Sequence, residues 1–374
     1  MVLQTITMKV QIYADVMQKQ LLLNTLQAYT DACNFVSDYV FDTHELKQAR
    51  LNQVLYYTLR SKFQLKSQMA QSVLKTVIAR YKTSLANEHE WIKSQFSQLQ
   101  YDLVWNRDYS LTGTLFSVNT LNGREKFRYA EKGMSQYFDK SVYTFGTAKL
   151  VYRHDKFYLH IPVTYEIADV TIHDIKNIVG VDVGVNFLAT SYDSHGKTKF
   201  YNGHKVKHKR LVYKRMRRKL QSIDTSSARR CLKRMNHREN RWMQDVNHCV
   251  SKALVDDYPK GTLFVLEDLT GIFRGKSEPV AANGRSMHVS WAFYDLQKKI
   301  EYKAKRKGSM VLFVNPAYTS QACPKCGHIE SQNRDKRKHM FRCKSCGYQS
   351  NDDRIGAMNL YQKGLFWLLQ EQSK

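Results

Sequence analysis

The central feature of the sequence is an apolar stretch with a single charged residue, Ile178-Val179-Gly180-Val181-Asp182-Val183-Gly184-Val185. A β-branched run of this kind predicts a strand that is buried on both faces. Its carboxylate, Asp182, lies between two glycines near the end of the run, where an unpaired buried charge is costly. We therefore expect Asp182 either to cap a turn through hydrogen bonds or to bind a cation, with the glycines leaving room for a large ligand.

Further acids occupy comparable positions later in the chain. Glu267 closes the buried run that begins at Thr262, and Asp352 and Asp353 open the last predicted helix. An aspartate at a helix start is favoured as a cap and by the helix dipole, so one of that pair can be structural. In an RNase H-like α/β layout of a meander, a helix, a further strand and a closing helix, the three acidic positions converge. Three carboxylates in one pocket suit Mg²⁺ or Mn²⁺, and two such ions can support displacement at a phosphodiester.

The charge balance indicates a polyanionic partner. The 374 residues, enough for two or three domains, carry 59 Lys and Arg against 33 Asp and Glu, a formal net charge of +26. Nucleic acid is favoured over a membrane, because no window approaches eighteen consecutive apolar residues and the N-terminus lacks the apolar core of a signal peptide. Four of the seven cysteines form two close pairs, which suit a metal rather than a disulfide framework, so we expect an intracellular protein.

Residues 204–256 form a helical and extremely basic segment. Between His204 and Arg241 there are fifteen Lys or Arg and only two acids, Asp224 and Glu239. Such a one-sided run repels itself unless phosphates neutralise it, so we favour nucleic-acid contact over a merely solvated face. The candidate contacts here and in the later cysteine module are Lys205, Lys207, Lys209, Arg210, Lys214, Arg215, Arg217, Arg218, Arg229, Arg230, Arg241, Arg337, Lys338 and Arg342.

Two cysteine pairs predict a metal-binding module. Cys323-Pro-Lys-Cys326-Gly and Cys343-Lys-Ser-Cys346-Gly are separated by the sixteen residues 327–342. Each pair can hold one side of an ion, the following glycine supplies backbone freedom, and four thiolates close a tetrahedral shell around Zn²⁺. A closed shell leaves no open coordination position, so we expect this zinc to be structural. Reactive or redox cysteines are the less favoured alternative.

The front of the chain predicts a small β-barrel interrupted by helices. Residues 3–13 alternate apolar and polar side chains, the period of a half-exposed strand. From about 18 to 100 the spacing changes to 3.6 residues, with no proline before Pro162, which predicts a helical bundle. Alternation then returns over 103–168, in segments at 110–118, 148–153 and 156–163.

Taken together, the motifs resemble the transposon-encoded TnpB nucleases, which are similar by descent to the compact type V CRISPR effectors. The resemblance covers essentially the whole chain. It is carried by the run around Asp182, by Val265-Leu-Glu267-Asp-Leu, by Thr319-Ser-Gln-Ala-Cys-Pro-Lys-Cys-Gly, and by Asp353 with Asn359 six residues on. It implies an RNA-guided DNA endonuclease with a RuvC-like domain. A noncoding guide RNA from the transposon end would pair with one strand of double-stranded DNA, while the protein reads a short motif beside the target.

The resemblance also implies roles for single residues. Asp182, Glu267 and Asp353 match the three catalytic, Mg²⁺-binding acids, with Ile355 and Gly356 in place of the family's usual Asn and Ala. The family tends to carry an Arg shortly before the third cysteine, and that position holds His339. Motif reading is expected from the helical insertion and the barrel, where the candidates are Ser67, Gln68 and Gln71. These three could equally be an ordinary polar helix face.

The implied domain organisation has four parts. A β-barrel wedge domain covers 1–17 and 103–170, and a helical recognition domain covers 18–102. A RuvC-like nuclease domain covers 171–318 and 351–374, with a zinc-ribbon insertion at 319–350. The resemblance further implies a cytoplasmic, nucleoid-associated prokaryotic protein without a membrane partner, and a monomer is favoured.

Other functions compete with guided cleavage. A guided but catalytically silent DNA-binding repressor should have lost at least one of the three acids. An actin- or hexokinase-like ATPase also begins with Gly-x-Asp-x-Gly, but it has no need of a four-cysteine module or a charge of +26. An RNA-independent RuvC-like resolvase or transposase is the main alternative, and it is distinguished by needing no RNA.

Overall fold

The structure, a computed structural model, describes residues 1–130, 133–269, 292–335 and 337–373. Residues 271–288, whose glycines and Ser277 predict a loop, lie outside these residues. The chain divides into two compact units, one of Leu3–Glu166 and one of Ile167–Lys374 with Met1–Val2. Within the described ranges, no helix combines the length and the apolar character needed to cross a bilayer.

The first unit contains a nearly closed, barrel-like sheet. Its strands are β1 (Val2–Tyr13), β2 (Gln100–Leu103), β3 (Tyr109–Thr112), β4 (Leu115–Thr120), β5 (Gly123–Tyr129), β6 (Thr144–Phe145), β7 (Ala148–Arg153) and β8 (Lys156–Ile167). Their order is β2-β7-β8-β1-β5-β4-β3, with β6 paired to β8. The segment at 110–118 is not one strand, because Gly113 turns with a φ of 57° and separates β3 from β4.

The helices of this unit follow its first strand, as predicted. They are α1 (Val16–Thr43), α2 (Gln48–Lys62) and α3 (Ser67–Ala86). The helical pattern expected up to about 100 stops at Ala86. Beyond it, side chains of α1 bind the backbone and replace helical hydrogen bonds: Asn34 exchanges bonds with the main chain of Phe96, and Ser37 donates to the carbonyl of Ser94.

The second unit is built on a five-stranded sheet. Its strands are β9 (Asn177–Asp182), β10 (Phe187–Asp193), β11 (Thr198–Asn202), β12 (Thr262–Glu267) and β13 (Met310–Val314), in the order β11-β10-β9-β12-β13. Strands β9, β10 and β11 form an antiparallel meander, whereas β12 and β13 run parallel to β9. This is the arrangement predicted for the α/β part of the chain.

Helices cover both faces of this sheet. They are α4 (His204–Ile223), α5 (Ser226–Asp256), α6 (Ala292–Arg306) and α7 (Asp352–Gln372). Leu254 of α5 and Ile300 of α6 pack with Val181 on one face. Leu360 and Leu368 of α7 pack with Val265 on the other. The closing helix α7 therefore lies against the central strands, at the sheet edge where β9 and β12 end.

A small sheet precedes α7 and lies beside the cysteine pairs. It consists of β14 (Arg334–Asp335), β15 (Met340–Arg342) and β16 (Gln349–Asn351) in that order. Phe341 is fully buried and packs with Ile355 of α7 and with Cys323 and Cys343. Asn351, the last residue of β16, is also the N-cap of α7, since its side chain accepts from the backbone of Asp353 and Arg354.

Candidate active site and four-cysteine centre

Two parallel strands bring the first two acids to one edge of the sheet. Val265 of β12 is paired with Gly180 of β9. Asp182 and Glu267 each lie two residues further along and are the last residues of their strands. Side chains two residues apart share a face, so both carboxylates are on the face covered by α7.

Helix α7 reaches Asp182 because glycines remove the side chains in between. A Cβ on Gly180 would stand 2.0 Å from the carbonyl oxygen of Ala357. A Cβ on Gly356 would stand 2.9 Å from the carboxylate carbon of Asp182. The glycine that replaces the family's usual alanine at 356 thus makes room for the first acid, and the start of α7 delivers the third acid to the same place.

The two adjacent aspartates have different surroundings. Asp352 is engaged, with its Oδ2 2.9 Å from Nε of Arg334 and 3.7 Å from Nδ1 of His339. Asp353 is 8% exposed, and its buried Oδ2 has no hydrogen-bond partner among the described residues. A buried carboxylate oxygen without a protein partner is costly, so this oxygen is available to hold a cation.

A second polar atom at this edge is also without a partner. Thr190 of β10 is paired with Asp182 across the antiparallel strands, which places both side chains on the same face. The Thr190 hydroxyl is fully buried and has no hydrogen-bond partner in the described ranges. The sequence alone does not single out Thr190, because its position opposite Asp182 depends on the strand register.

Burial raises the pKa values of all three acids, and neighbouring charges modify the shift. Burial, together with the neighbouring Glu267 and Asp353, raises the pKa of Asp182 well above its usual range, against the opposing effect of Arg334. Burial also raises the pKa of Glu267, opposed by the Thr319 hydroxyl, Lys363 and Arg334. Burial and then Asp352 raise the pKa of Asp353. Burial is the largest cause in each case, and a bound cation would lower these pKa values.

Among the described residues, Arg334 is the cation that acts on all three acids. It acts on Asp182, Glu267 and Asp353, and it lies on β14, earlier than the position of His339 where the resemblance placed a basic residue. His339 lies 3.7 Å from Asp352 and also contacts the side chain of Asn186, with its Nε2 2.7 Å from the amide nitrogen. Arg334 belongs to the basic run of the zinc ribbon. Its orientation toward the acids depends on strand pairing, which the sequence alone does not reveal.

The four cysteines form a compact cluster. Their sulfur atoms all lie within 4.8 Å of one another, with 3.6 Å between Cys323 and Cys346 and 3.5 Å between Cys326 and Cys343. Thiolates bound at about 2.3 Å in a tetrahedron stand about 3.8 Å apart, so the cluster is the right size for one metal ion. Gly327 and Gly347 have φ values of 76° and 72°, which confirms the backbone role expected of the glycine after each pair.

The carboxylates are less tightly grouped than the sulfurs. Among the described residues, only the four cysteines form a group of three or more possible metal ligands, counting His, Cys, Asp and Glu, whose ligand atoms all lie within 4.8 Å of one another. At least two of the ligand oxygens of the three acids are therefore more than 4.8 Å apart. Two ions about 3.5–4 Å apart could be shared among carboxylates at such a spacing.

The basic segment forms a helical hairpin of α4 and α5, which turns at Asp224 with a φ of 45°. Arg217 is paired with the buried Glu239 across the two helices, Arg229 is paired with Asp224, and burial lowers the pKa of Arg210. The candidates exposed on this hairpin are Lys205, Lys209, Arg215, Arg218, Arg229, Arg230 and Arg241, and Arg337, Lys338 and Arg342 are exposed on the ribbon. Arg217 thus has a structural partner that the sequence did not indicate.

The three motif-reading candidates lie at the start of α3 and have protein partners. Ser67 accepts from the hydroxyl of Tyr56 over 2.9 Å, and Gln68 accepts from Arg107 over 3.1 Å. Gln71 donates to the side chain of Asn52 on α2 over 2.5 Å. These contacts support an ordinary polar helix face at least as well as a recognition surface.

Known protein families match two segments of the chain. A family profile described as "Probable transposase" matches residues 160–270, and one described as "Cas12f1-like, TNB domain" matches residues 293–360. The chain is 30% identical to the TnpB-like protein MJ0751 of Methanocaldococcus jannaschii over 198 residues, which is 51% of this chain and 70% of that protein. The chain therefore belongs to the family of TnpB-like proteins.

Longer relatives extend the comparison. The chain is 29% identical to the putative RNA-guided DNA endonuclease InsQ of Escherichia coli K12 over 56% of its own length and 54% of that protein. It is 31% identical to the CRISPR-associated endodeoxyribonuclease Cas12f1 of Syntrophomonas palmitatica over 59% of its own length and 46% of that protein. The chain thus spans about half the length of the first curated relatives that it matches.

Proposed function

We propose that this protein is an RNA-guided DNA endonuclease whose RuvC-like second unit hydrolyses phosphodiesters with divalent cations. The observation that carries the proposal is the meeting of Asp182, Glu267 and Asp353 at one sheet edge, with Oδ2 of Asp353 left without a hydrogen-bond partner among the described residues. Relatives that are named RNA-guided DNA endonuclease and CRISPR-associated endodeoxyribonuclease support the same function.

The donor sets indicate which metals each site takes. Carboxylate oxygens are hard ligands that suit Mg²⁺ or Mn²⁺, and four thiolates suit a structural Zn²⁺. Bound divalent cations would stabilise the attacking and leaving oxygens of an in-line displacement. Arg334, held by Asp352 beside the acids, is placed to contact a phosphate oxygen and to reduce the repulsion between the phosphate and the carboxylates.

Guide RNA and double-stranded target DNA are the partners that fit the charge. The hairpin of α4 and α5 and the exposed ribbon residues Arg337, Lys338 and Arg342 would bind sugar–phosphate backbones without reading sequence. Base pairing with the guide would supply the specificity. In this scheme the barrel-like sheet is the wedge domain and helices α1 to α3 are the recognition domain that reads a short motif.

An RNA-independent resolvase or transposase is the second candidate. The matched profile described as "Probable transposase" favours it, and the acid site would serve such an enzyme equally well. The names of InsQ and Cas12f1 favour guided cleavage. A silent repressor is disfavoured, because all three acids are present and meet.

RNA that co-purifies with the protein distinguishes these functions. We would express the chain with its flanking locus, sequence the bound RNA, and assay Mg²⁺-dependent cleavage before and after ribonuclease treatment. Guided cleavage predicts one discrete RNA whose end matches the cut DNA, and an Asp182→Ala variant that keeps RNA and target binding but does not cut. Cleavage that survives removal of the RNA would support the resolvase or transposase instead.

A further inference from the structure

One buried hydroxyl outside the three acids touches the site directly. Thr319, which is 3% exposed, lies between β13 and the first cysteine pair, and its Oγ1 donates to Oε1 of Glu267 over 2.5 Å. The same hydroxyl lies 2.9 Å from the carbonyl oxygen of Pro316. A hydroxyl has one proton and an ionised carboxylate is the stronger acceptor, so the proton goes to Glu267 whenever Glu267 is ionised.

The main chain at Thr319 is held from the closing helix. Asn359 of α7 is 5% exposed, and its Nδ2 donates to the carbonyl oxygen of Thr319 over 2.6 Å and to that of Ala322 over 2.9 Å. Both amide protons are therefore used on the segment that leads into Cys323. A hydrogen-bonded path runs from the helix that carries Asp353, through Thr319, to the second acid.

Glu267 is also held from the other side of the sheet. Its backbone carbonyl oxygen accepts from Nε2 of Gln297 on α6 over 2.8 Å. That bond fixes the end of β12 but leaves the side-chain torsions of Glu267 free. The Thr319 hydroxyl acts on the carboxylate itself and selects one orientation among several rotamers.

We infer that Thr319, with its main chain held by Asn359, is a positioning residue that orients the Glu267 carboxylate for divalent-cation binding and couples the four-cysteine module to the acid site. The inference rests on the proposed function, because it takes the three acids to be the cation site. Outer hydrogen bonds to ligating carboxylates are worth about 10–100-fold in metal affinity or activity. The nearest cysteine ligand, Cys323, follows Ala322 directly, so any disorder in the module reaches Thr319 through Ala322 and its bond to Asn359.

The test compares Thr319→Val, which keeps the shape and removes the hydroxyl, with Thr319→Ser, which keeps the hydroxyl. Mn²⁺ binding to the full-length protein without DNA is followed by electron paramagnetic resonance of the free ion. We expect Val to weaken Mn²⁺ binding by about 10–100-fold and Ser to stay near wild type. In cleavage assays the Mn²⁺ concentration for half-maximal rate should rise with Val, while zinc content and Tm remain unchanged.

Wild-type Mn²⁺ affinity and wild-type metal dependence in Thr319→Val would overturn the inference. If Thr319→Val instead lowers the zinc content, Asn359→Ala becomes the deciding variant, because it leaves the hydroxyl in place but releases the main chain. Weaker Mn²⁺ binding in that variant supports the inference, and unchanged binding overturns it. Failure of the proposed function is a separate result: wild-type protein would then bind Mn²⁺ no better than Asp182→Ala, whatever residue 319 is.

Discussion

Gly180 of the central strand lies directly against Ala357 of the closing helix, so close that a Cβ on the glycine would stand 2.0 Å from the alanine carbonyl oxygen. A backbone carbonyl cannot rotate away as a side chain can. The contact therefore sets how near α7 comes to β9, and with it the distance between the first and third acids.

Gly180→Ala should consequently separate α7 from the sheet. We expect a loss of unfolding free energy at the upper end of the roughly 1–3 kcal/mol that overpacking costs, with loss of Mn²⁺ binding. Gly184→Ala is the matched control at the exit of the same strand, since its Cβ would stand 3.2 Å from the nearest atom, the Phe187 carbonyl oxygen. Thermal unfolding checks the prediction, and equal effects of the two changes would refute it.

The adjacent aspartates should respond differently to the same change. Asp353→Asn removes the carboxylate with the unpartnered oxygen, so cleavage should fall by more than the roughly 10–100-fold typical of outer-shell changes, with little loss of stability. Asp352→Asn weakens the pair with Arg334 and should cost about 1–3 kcal/mol of stability. Cleavage rates and chemical denaturation of both variants would show the contrast. Similar profiles for the two would mean that both aspartates bind the ions.

The metal-free protein should be stabilised by removing one acid. The pKa of Asp182 is raised above its ordinary 3.8 in the folded state, so the folded protein binds a proton more tightly than the unfolded chain does. The stability that protonated Asp182 contributes to the wild type is lost as pH rises through the folded pKa. Asp182→Asn has no such group and does not lose stability in this way. At neutral pH in EDTA the variant should melt higher, by roughly 2–4 °C per kcal/mol for a unit of this size. The difference should shrink as the pH is lowered toward 3.8. A lower Tm for the variant at neutral pH would contradict this prediction.

Removal of the metal from the cysteine cluster should disturb the acid site. Cys343→Ser opens the shell, and the freed Phe341 and Cys323 no longer support Ile355 of α7. We expect loss of zinc, faster proteolysis within 319–350 and weaker Mn²⁺ binding at the acids. Cys249→Ser, an exposed cysteine on α5, is the control and should leave all three unchanged. Wild-type Mn²⁺ binding in zinc-free Cys343→Ser would show that the two centres are independent.

Substitution of exposed and of paired arginines in the α4–α5 hairpin should have different effects on the salt dependence of RNA binding. Arg215→Ala and Arg218→Ala should each lower the slope of log affinity against log salt by about 0.7–0.9 if that arginine contacts a phosphate. Arg217→Ala breaks the pair with the buried Glu239, so it should lower stability rather than the slope. Binding of guide RNA measured across a range of salt concentrations, together with Tm, tests both expectations. A reduced slope for Arg217→Ala alone would reverse the assignment.

The sequence predicted much of the second unit because its elements have strong local patterns. Buried β-branched runs, the one-sided basic helices and the cysteine spacing each depend on residues that are close in the chain. The partners of Arg334, Thr319 and Arg217 could not be predicted, because they depend on strand register and helix rotation. The segment after Ala86 departs from the predicted helix for a similar reason: its contacts with Asn34 and Ser37 are tertiary, and they outweigh the helical periodicity.

The continuity of β16 with α7 bears on how such proteins tolerate changes in length. The strand ends at Asn351 and the helix begins at Asp352, so no loop separates β16 from the helix that carries the third acid. One residue inserted between Asp353 and Gly356 would rotate the carboxylate by about 100° around the helix axis and aim it away from Asp182. Insertions and deletions should therefore accumulate between the two cysteine pairs, where a longer turn leaves the orientation of the Asp353 carboxylate unchanged.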